Sequence, residues 1–358
     1  MRLAWIRGSR KINFDRPSTW FTLGVRGSGK SSFIEHIGEQ YHAKGHTILD
    51  LFGSRDGEGL AWIRHPDIDP ESVLLIHGDN VDVSAPVDTI SVSDLGLDDF
   101  NKYKVLISSS PLYSSPDDEF MQVNKITSLL YQRRSWKNLV YMLAREAANL
   151  YYSRVKITQN QTAAKADMIY LIREARHMGV SMGLDTLKYT SIDSDIRAVT
   201  DYLIFKAQGI QGLPRDLFWI YKYIDPGKLR VLKPNQFVCL HRGGTLGLGV
   251  FQELKWHKQE KEHIAKALGI TCDYSEEINY GENKGSFSTL GDHEHIELIG
   301  DYLKDKLSMN KIAAKRTYSS GTVYNHINKH NKEVKQSGEC SSCMRVGGEF
   351  ADMLATRR

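Results

Sequence analysis

Short apolar runs bounded by Gly, Pro or Asp alternate along most of the chain with longer stretches of helical period. Thr19–Leu23, Thr47–Phe52, Val73–Ile76, Val105–Ser108, Leu139–Leu143, Val180–Leu184 and Tyr202–Phe205 have the length and continuity of buried strands. Ser31–Lys44, Glu119–Arg133, Gln161–Met178 and Asp193–Val199 carry helical patterns between them. Strands separated by helices predict an α/β fold, a mostly parallel sheet with helices on both faces, running to about Gln252. A linker, 253–292, follows. It holds a short helix within Leu254–Leu268 and then the polar, glycine-containing stretch Thr271–Asp292. Ile296–Leu307 resumes a helical pattern, with Ile296, Ile299, Leu303 and Leu307 on one face. The chain therefore divides into 1–252, the linker 253–292, a small all-α domain 293–335, and a terminal tail 336–358. No internal repeat is visible.

Composition narrows the class. The chain has 358 residues, 41% hydrophobic and 25% charged, as in an ordinary soluble globular protein; disorder and fibrous repeats are excluded. No run reaches the ~18 apolar residues of a membrane span. Met1–Arg16 is basic but lacks the apolar centre of a secretory signal. Four cysteines in so long a chain make no disulfide framework, and the expectation is a reducing, cytoplasmic setting.

The net charge of +4 conceals two opposed blocks. Pro66–Glu119 holds twelve acids against Lys102 and Lys104 and reads as a solvated, loop-rich region, whereas Met309–Lys335 holds six basic residues and one acid, Glu333.

The strongest motif is Gly24-Val25-Arg26-Gly27-Ser28-Gly29-Lys30-Ser31, a full match to G-x-x-x-x-G-K-[ST] that follows an apolar strand and opens a helix. In such a P-loop, glycines let backbone N–H groups wrap phosphates, and the helix N-terminus adds partial positive charge. Gly24 through Ser32 are thus the expected ATP-binding residues. Lys30 would reach the β- and γ-phosphates, and the Ser31 hydroxyl would ligate Mg²⁺.

A P-loop ATPase also needs an acid linked to Mg²⁺ and a residue that orients the attacking water. After the strand Leu139–Leu143 stand Ala144, Arg145 and Glu146. Glu146 is the candidate for the water, the alternative being an acid that merely complements a helix dipole. Arg145 occupies the position where the metal-linked acid is expected. Asp50 and Asp79, each at or just past a strand end, are replacement candidates.

These segments, with Arg173-Glu174-Ala175-Arg176-His177-Met178-Gly179 leading into Val180–Lys188 and then Ser191-Ile192-Asp193-Ser194-Asp195-Ile196-Arg197, occur in the order found in HerA/FtsK-type ATPases. The chain resembles that family over Thr19–Ala207. The family's helix reads E-x-R-x-x-G, its next strand ends in T-Q-R, and I-D-x-x-I-R follows. Arg145 departs from the pattern, as does Leu187, which stands where the family has its sensor glutamine. The resemblance implies a P-loop NTPase fold, ATP and Mg²⁺ as cofactors, and a homo-oligomer, a hexameric ring with nucleotide at its interfaces. An arginine from a neighbour would complete each site, with Arg173, Arg176 and Arg197 as candidates. The two departures imply slow, relocated or absent hydrolysis, or a divergent branch with its own ligand set.

Met309–Ile327 resembles a resolvase-type helix-turn-helix, an I-A helix followed by S-x-x-T-V-x-x-x-I. Ser319 or Ser320 would cap the second helix, and Val323 and Ile327 would pack it on Ile312 and Ala313. Ser320, Gly321, Tyr324 and Asn325 would face bases, with Lys311, Lys315 and Arg316 near phosphates of double-stranded DNA. Thr317 and Arg316 depart from the usual glycine and leucine of that motif. A small helical module for protein contacts is the alternative. Beyond it, His326 and His330 followed by Cys340 and Cys343 give H-x3-H and C-x2-C, a spacing able to supply four ligands to Zn²⁺; two reduced thiols at the terminus are the alternative.

The combined reading is an ATP-dependent motor on duplex DNA, in genome packaging or transfer. The competing reading is a DNA-binding regulator or partition factor switched by ATP with little hydrolysis, which Arg145 and Leu187 favour.

Overall fold

The computed structural model describes residues 1–53, 56–133, 138–152, 160–258, 263–274, 292–316, 320–346, 352–354 and 356. It divides into two units, Met1–Ile278 and Asn279–Arg358, each considered by itself.

The first unit is built on thirteen strands: β1 (Arg2–Arg7), β2 (Thr19–Leu23), β3 (Thr47–Phe52), β4 (Val73–His77), β5 (Val81–Ser84), β6 (Asp88–Ser91), β7 (Val105–Ile107), β8 (Val140–Ala144), β9 (Val180–Thr186), β10 (Tyr202–Phe205), β11 (Gln236–His241), β12 (Leu246–Val250) and β13 (Thr271–Tyr274). Eleven of them form one sheet in the order β1-β12-β11-β10-β2-β9-β8-β3-β7-β4-β6. From β10 to β6 every neighbouring pair is parallel, and β11, β12 and β1 extend the sheet antiparallel. Strands β2, β3, β8, β9 and β10 are buried at every position, which is why they read as continuous apolar runs rather than alternating ones.

The helix Lys30–His42 follows β2 and buries Phe33, Ile34, Ile37 and Tyr41. Gly38 on that helix lets it lie close to the sheet, because a Cβ there would sit 3.1 Å from Trp62 and 3.4 Å from Tyr141. Tyr141 on β8 stacks on Tyr41 with centroids 4.7 Å apart and donates its hydroxyl to the Ile34 carbonyl at 2.9 Å. Helices Pro116–Tyr131 and Asn160–Met178 connect further strands. The acidic stretch is less loop-rich than expected, since β4, β5, β6 and β7 all lie within it.

Residues 253–258 and 263–274 belong to this unit rather than to a linker. The Trp256 ring lies 4.8 Å from that of Trp62, its indole N–H donates to Glu39 at 3.0 Å, and His257 lies 2.6 Å from Glu35. β13 pairs antiparallel with β5. In place of one helix over 254–268, short helices occupy Lys255–Lys258 and Ile264–Ala267. The polar stretch 275–291 lies outside the described residues.

The second unit contains helices Asp292–Leu303, Met309–Arg316, Ser320–Ser337 and Ser341–Val346. Its small core joins Ile296, Leu298, Ile299, Ile312, Val323, Ile327, Val334, Cys340, Cys343 and Leu354. The boundary at 335 does not separate a tail, because the third helix crosses it and both cysteines are buried in this core. The expected turn, 317–319, lies outside the described residues. No helix among the described residues is long and apolar enough to cross a membrane.

Candidate functional site

The carboxyl ends of β2, β3, β8, β9 and β10 lie side by side, and open α/β sheets bind ligands at that edge. The P-loop leaves β2 there. Gly29 caps the helix with φ 81°, a left-handed conformation that glycine adopts without strain; a Cβ would meet the Pro234 carbonyl at 2.5 Å. Val25 N–H donates to the Ala207 carbonyl at 2.9 Å, which fastens the loop to the end of β10. Arg26 and Gly27 are exposed, and Val25, Gly29, Lys30, Ser31 and Ser32 are half-buried. The Ser28 hydroxyl is buried and has no hydrogen-bond partner among the described residues. Lys30 Nζ donates to the Val25 carbonyl at 3.2 Å, so the lysine folds back across its own loop.

Arg145, at the position where an acid was expected, is sealed in the core. Its guanidinium pairs with Asp50 and, at 2.7 Å, with Glu35 of the P-loop helix; Glu58 lies 3.6 Å away. Burial opposes its charge, but the two buried carboxylates outweigh burial and hold the guanidinium well above its ordinary value. Asp50 accepts from Arg145 on both oxygens and from Trp62 Nε1 at 3.0 Å. Its carboxylate is committed to this cluster. Asp79 pairs with Lys125 at 2.7 Å and accepts from Ser93 N–H. Neither replacement candidate is therefore brought to the P-loop serine.

Asp185, at the carboxyl end of β9, is brought there. It is buried and accepts from Ser31 Oγ at 3.1 Å on one oxygen and from the Glu146 N–H at 2.6 Å on the other. Burial pushes its carboxyl up, against the pull of Lys30. Asp185 directly follows the predicted strand Val180–Leu184, and the strand itself runs on to Thr186. The available signal was an acid two positions before Leu187, at the end of the strand next to β2.

Glu146 is exposed, with φ 45°, a left-handed conformation that costs a non-glycine residue about 1–3 kcal/mol. The surrounding bonds over-determine it. Arg145 N–H donates to Phe52 O at 2.8 Å, Ala147 N–H to Asp185 O at 2.8 Å, and Asn149 N–H to Glu146 O at 2.8 Å. The strained turn sets the Glu146 N–H on Asp185, and the Glu146 carboxylate accepts from Asn149 Nδ2 at 3.3 Å.

Lys206 closes the floor. It is fully buried, donates to Pro234 O at 2.6 Å and Gln236 O at 2.7 Å, and its ammonium lies 4.7 Å from the Phe251 ring centroid. Its Cβ is 2.7 Å from where a side chain on Gly24 would begin, so Gly24 must remain glycine. Burial pushes Lys206 down to about 7.

The arginines expected to serve a neighbour have partners within the unit. Arg173 pairs with Asp195 and Arg176 with Asp201, both at 2.7 Å, and Arg197 lies over the Tyr189 ring at 4.9 Å. Leu187 is half exposed. In the second unit, Lys311 and Tyr324 are exposed. Lys315 pairs with Asp301 at 2.7 Å, and Arg316 with Asp301 and Glu297. These two basic groups tie Met309–Arg316 to Asp292–Leu303 instead of standing free. Ser320, Gly321 and Asn325 lie on the following helix, and their side chains are outside the described residues. Of the four expected zinc ligands, His330, Cys340 and Cys343 are brought together; the fourth position is taken by His295, and His326 stands behind it at 3.0 Å from His295 Nδ1.

No protein-family model matches the chain, and no curated protein does. Among solved structures, it is similar to the genome packaging NTPase B204 from Sulfolobus turreted icosahedral virus 2 in complex with ATPγS. That likeness has 16% identity, covers 68% of this chain and 100% of that one, and has a TM-score of 0.38. The pCW3 conjugation coupling protein TcpA with ATPγS is 12% identical over 74% of this chain and 70% of that one, with a TM-score of 0.38. The cytoplasmic domain of the Thermomonospora curvata type VII secretion ATPase EccC is 14% identical over 68% of this chain and 25% of that one, with a TM-score of 0.37.

Two stability predictions follow from the buried charges. Arg145→Ala strands two carboxylates and should cost about 3–5 kcal/mol in denaturant unfolding; Arg145→Asp, which restores an acid at this position, should cost at least as much. For Lys206, the unfolded chain keeps a proton that the folded one has lost between pH about 7 and the ordinary value of 10.5. Stability should therefore rise with pH across that window, and Lys206→Met should flatten the slope. Unfolding curves at pH 7 and 9.5 for both proteins check the sign.

Proposed function

We propose that the first unit binds and hydrolyses Mg²⁺-ATP, and that the whole chain is an ATP-driven protein acting on duplex DNA. One observation carries the first part. The Ser31 hydroxyl and the Asp185 carboxylate are hydrogen-bonded to each other at the P-loop, and Asp185 also holds the backbone of Glu146. A hydroxyl and one carboxylate, with water and phosphate oxygens filling the remaining positions, are the donor set that suits Mg²⁺. In this reading Gly24–Ser32 cradle the phosphates, and Lys30 swings from Val25 to the β- and γ-phosphates. Asp185 takes over the metal-linked role that Arg145 has vacated. Glu146, held in its strained turn, orients the attacking water.

The DNA-directed part rests on the basic segment Met309–Lys335 and on the sequence likeness to helix-turn-helix and HerA/FtsK-type proteins. Lys311 and Tyr324 would carry the contact. Lys315 and Arg316 would contribute little, because Asp301 and Glu297 neutralise them within the unit. A homo-oligomeric ring belongs to the same reading, with Arg173 or Arg176 exchanging its local carboxylate for a neighbour's nucleotide.

Steady-state ATP turnover with and without duplex DNA tests this. DNA-stimulated turnover is expected, abolished by Lys30→Ala and lowered about 10²-fold or more by Glu146→Gln. Asp185→Asn should raise the Mg²⁺ concentration needed for half-maximal rate. Tight ATP binding without turnover would instead favour the ATP-switched regulator. Lys311→Glu combined with Tyr324→Ala in the full chain should weaken duplex binding and reduce its salt dependence. Unchanged affinity would move the DNA site to the first unit.

A further inference from the structure

We propose that the second unit holds a structural Zn²⁺ ion on His295, His330, Cys340 and Cys343. All four side chains are buried, and their ligand atoms lie within 4.8 Å of one another. Cys340 Sγ is 3.4 Å from His295 Nε2, and Cys343 Sγ is 3.8 Å from His330 Nδ1. Bonds of ~2.3 Å to sulfur and ~2.0–2.1 Å to nitrogen give a tetrahedron with edges of roughly 3.3–3.8 Å, so the two sulfur–nitrogen pairs already stand near coordinating separation. No disulfide joins the cysteines. Two thiolates and two imidazoles in a closed, buried setting select Zn²⁺ over the harder cations.

The groups behind the ligands fit the same purpose. A histidine that ligates through Nε2 must carry its proton on Nδ1, and His295 Nδ1 lies 3.0 Å from His326 Nδ1, which would accept it. The C-x-x-C turn is fixed from both sides. Glu333 accepts from Ser341 N–H at 2.9 Å and from its hydroxyl at 2.7 Å, and Arg345 makes two bonds of 2.8 Å to Asp292.

The ion would join three pieces of chain: the helix Asp292–Leu303, the helix Ser320–Ser337 and the Cys340–Cys343 turn. The unit's apolar core is small, and domains of that size commonly need such a staple. His326 therefore supports a ligand, and the H-x3-H spacing is not itself the binding pair.

The test uses the full chain purified without added metal or chelator. Elemental analysis should find one zinc per chain, unaffected by Lys30→Ala. Cys340→Ser and His295→Ala should lose it, whereas His326→Ala should keep the stoichiometry with affinity lowered about 10–100-fold. Because a ligand variant can fail for lack of folding, Co²⁺ exchange into the wild-type chain gives an independent reading: intense tetrahedral absorption with thiolate charge transfer. Absence of both zinc and that spectrum overturns the proposal. So does a chain whose mass shows a Cys340–Cys343 disulfide, or metal retained in His295→Ala and lost in His326→Ala.

Discussion

A guanidinium sealed in the core, with two buried carboxylates as its counter-charges, determines what the carboxyl edge of the sheet can offer a nucleotide. Arg145 links the helix that carries the P-loop, through Glu35, to β3, through Asp50. None of the three charges is tolerable alone in a dry interior. Together they fix the helix against the sheet at the point where phosphates would be held. Trp62 and His257 complete the cluster on Asp50 and Glu35 and draw residues 253–258 into the first unit.

Arg145 stands where a metal-linked acid would, and a buried carboxylate, Asp185, lies one strand nearer the P-loop. β9 lies directly beside β2, with Leu23 paired to Thr186 and Thr22 to Asp185. A carboxylate at that place reaches Ser31 without any rearrangement of the loop. The same carboxylate holds the Glu146 N–H, so on the proposed reading the metal site and the water-orienting residue would share one support. The strain at Glu146 is confined to a turn bonded to β3 and β9, a setting able to bear it. On the other flank, Lys206 and the Pro234 carbonyl back Gly24 and Gly29 and leave no room for a side chain at either position.

Much of this architecture was legible from the sequence because buried parallel strands are predominantly apolar. Thr19–Leu23, Thr47–Phe52 and Tyr202–Phe205 coincide with β2, β3 and β10, and the P-loop is written in consecutive residues. What could not be read depended on pairing across the chain. β12 has glycines at 247 and 249, the second making room for the Phe237 ring, so its apolar pattern is broken. Arg145 reads as a defect until Glu35 and Asp50 are seen around it. Asp185 stands at a strand end like other acids, and only its contacts with Ser31 and Glu146 single it out. His295 lies far in sequence from the cysteines that it faces, whereas His326 has the conspicuous spacing but supports from behind. Lys315 and Arg316 look like free basic groups until Asp301 and Glu297 are placed beside them.

The central proposal is that Asp185 supplies the metal-linked carboxylate. A structure of the full chain with Mg²⁺ and a non-hydrolysable ATP analogue measures this directly. The arrangement described here predicts Mg²⁺ between the phosphates and Ser31, with the Asp185 carboxylate bound to the ion or to one of its waters, and Arg145 still between Glu35 and Asp50. A metal shell completed by Asp50 or Asp79, with Arg145 turned out of the core and Asp185 facing away, would contradict it.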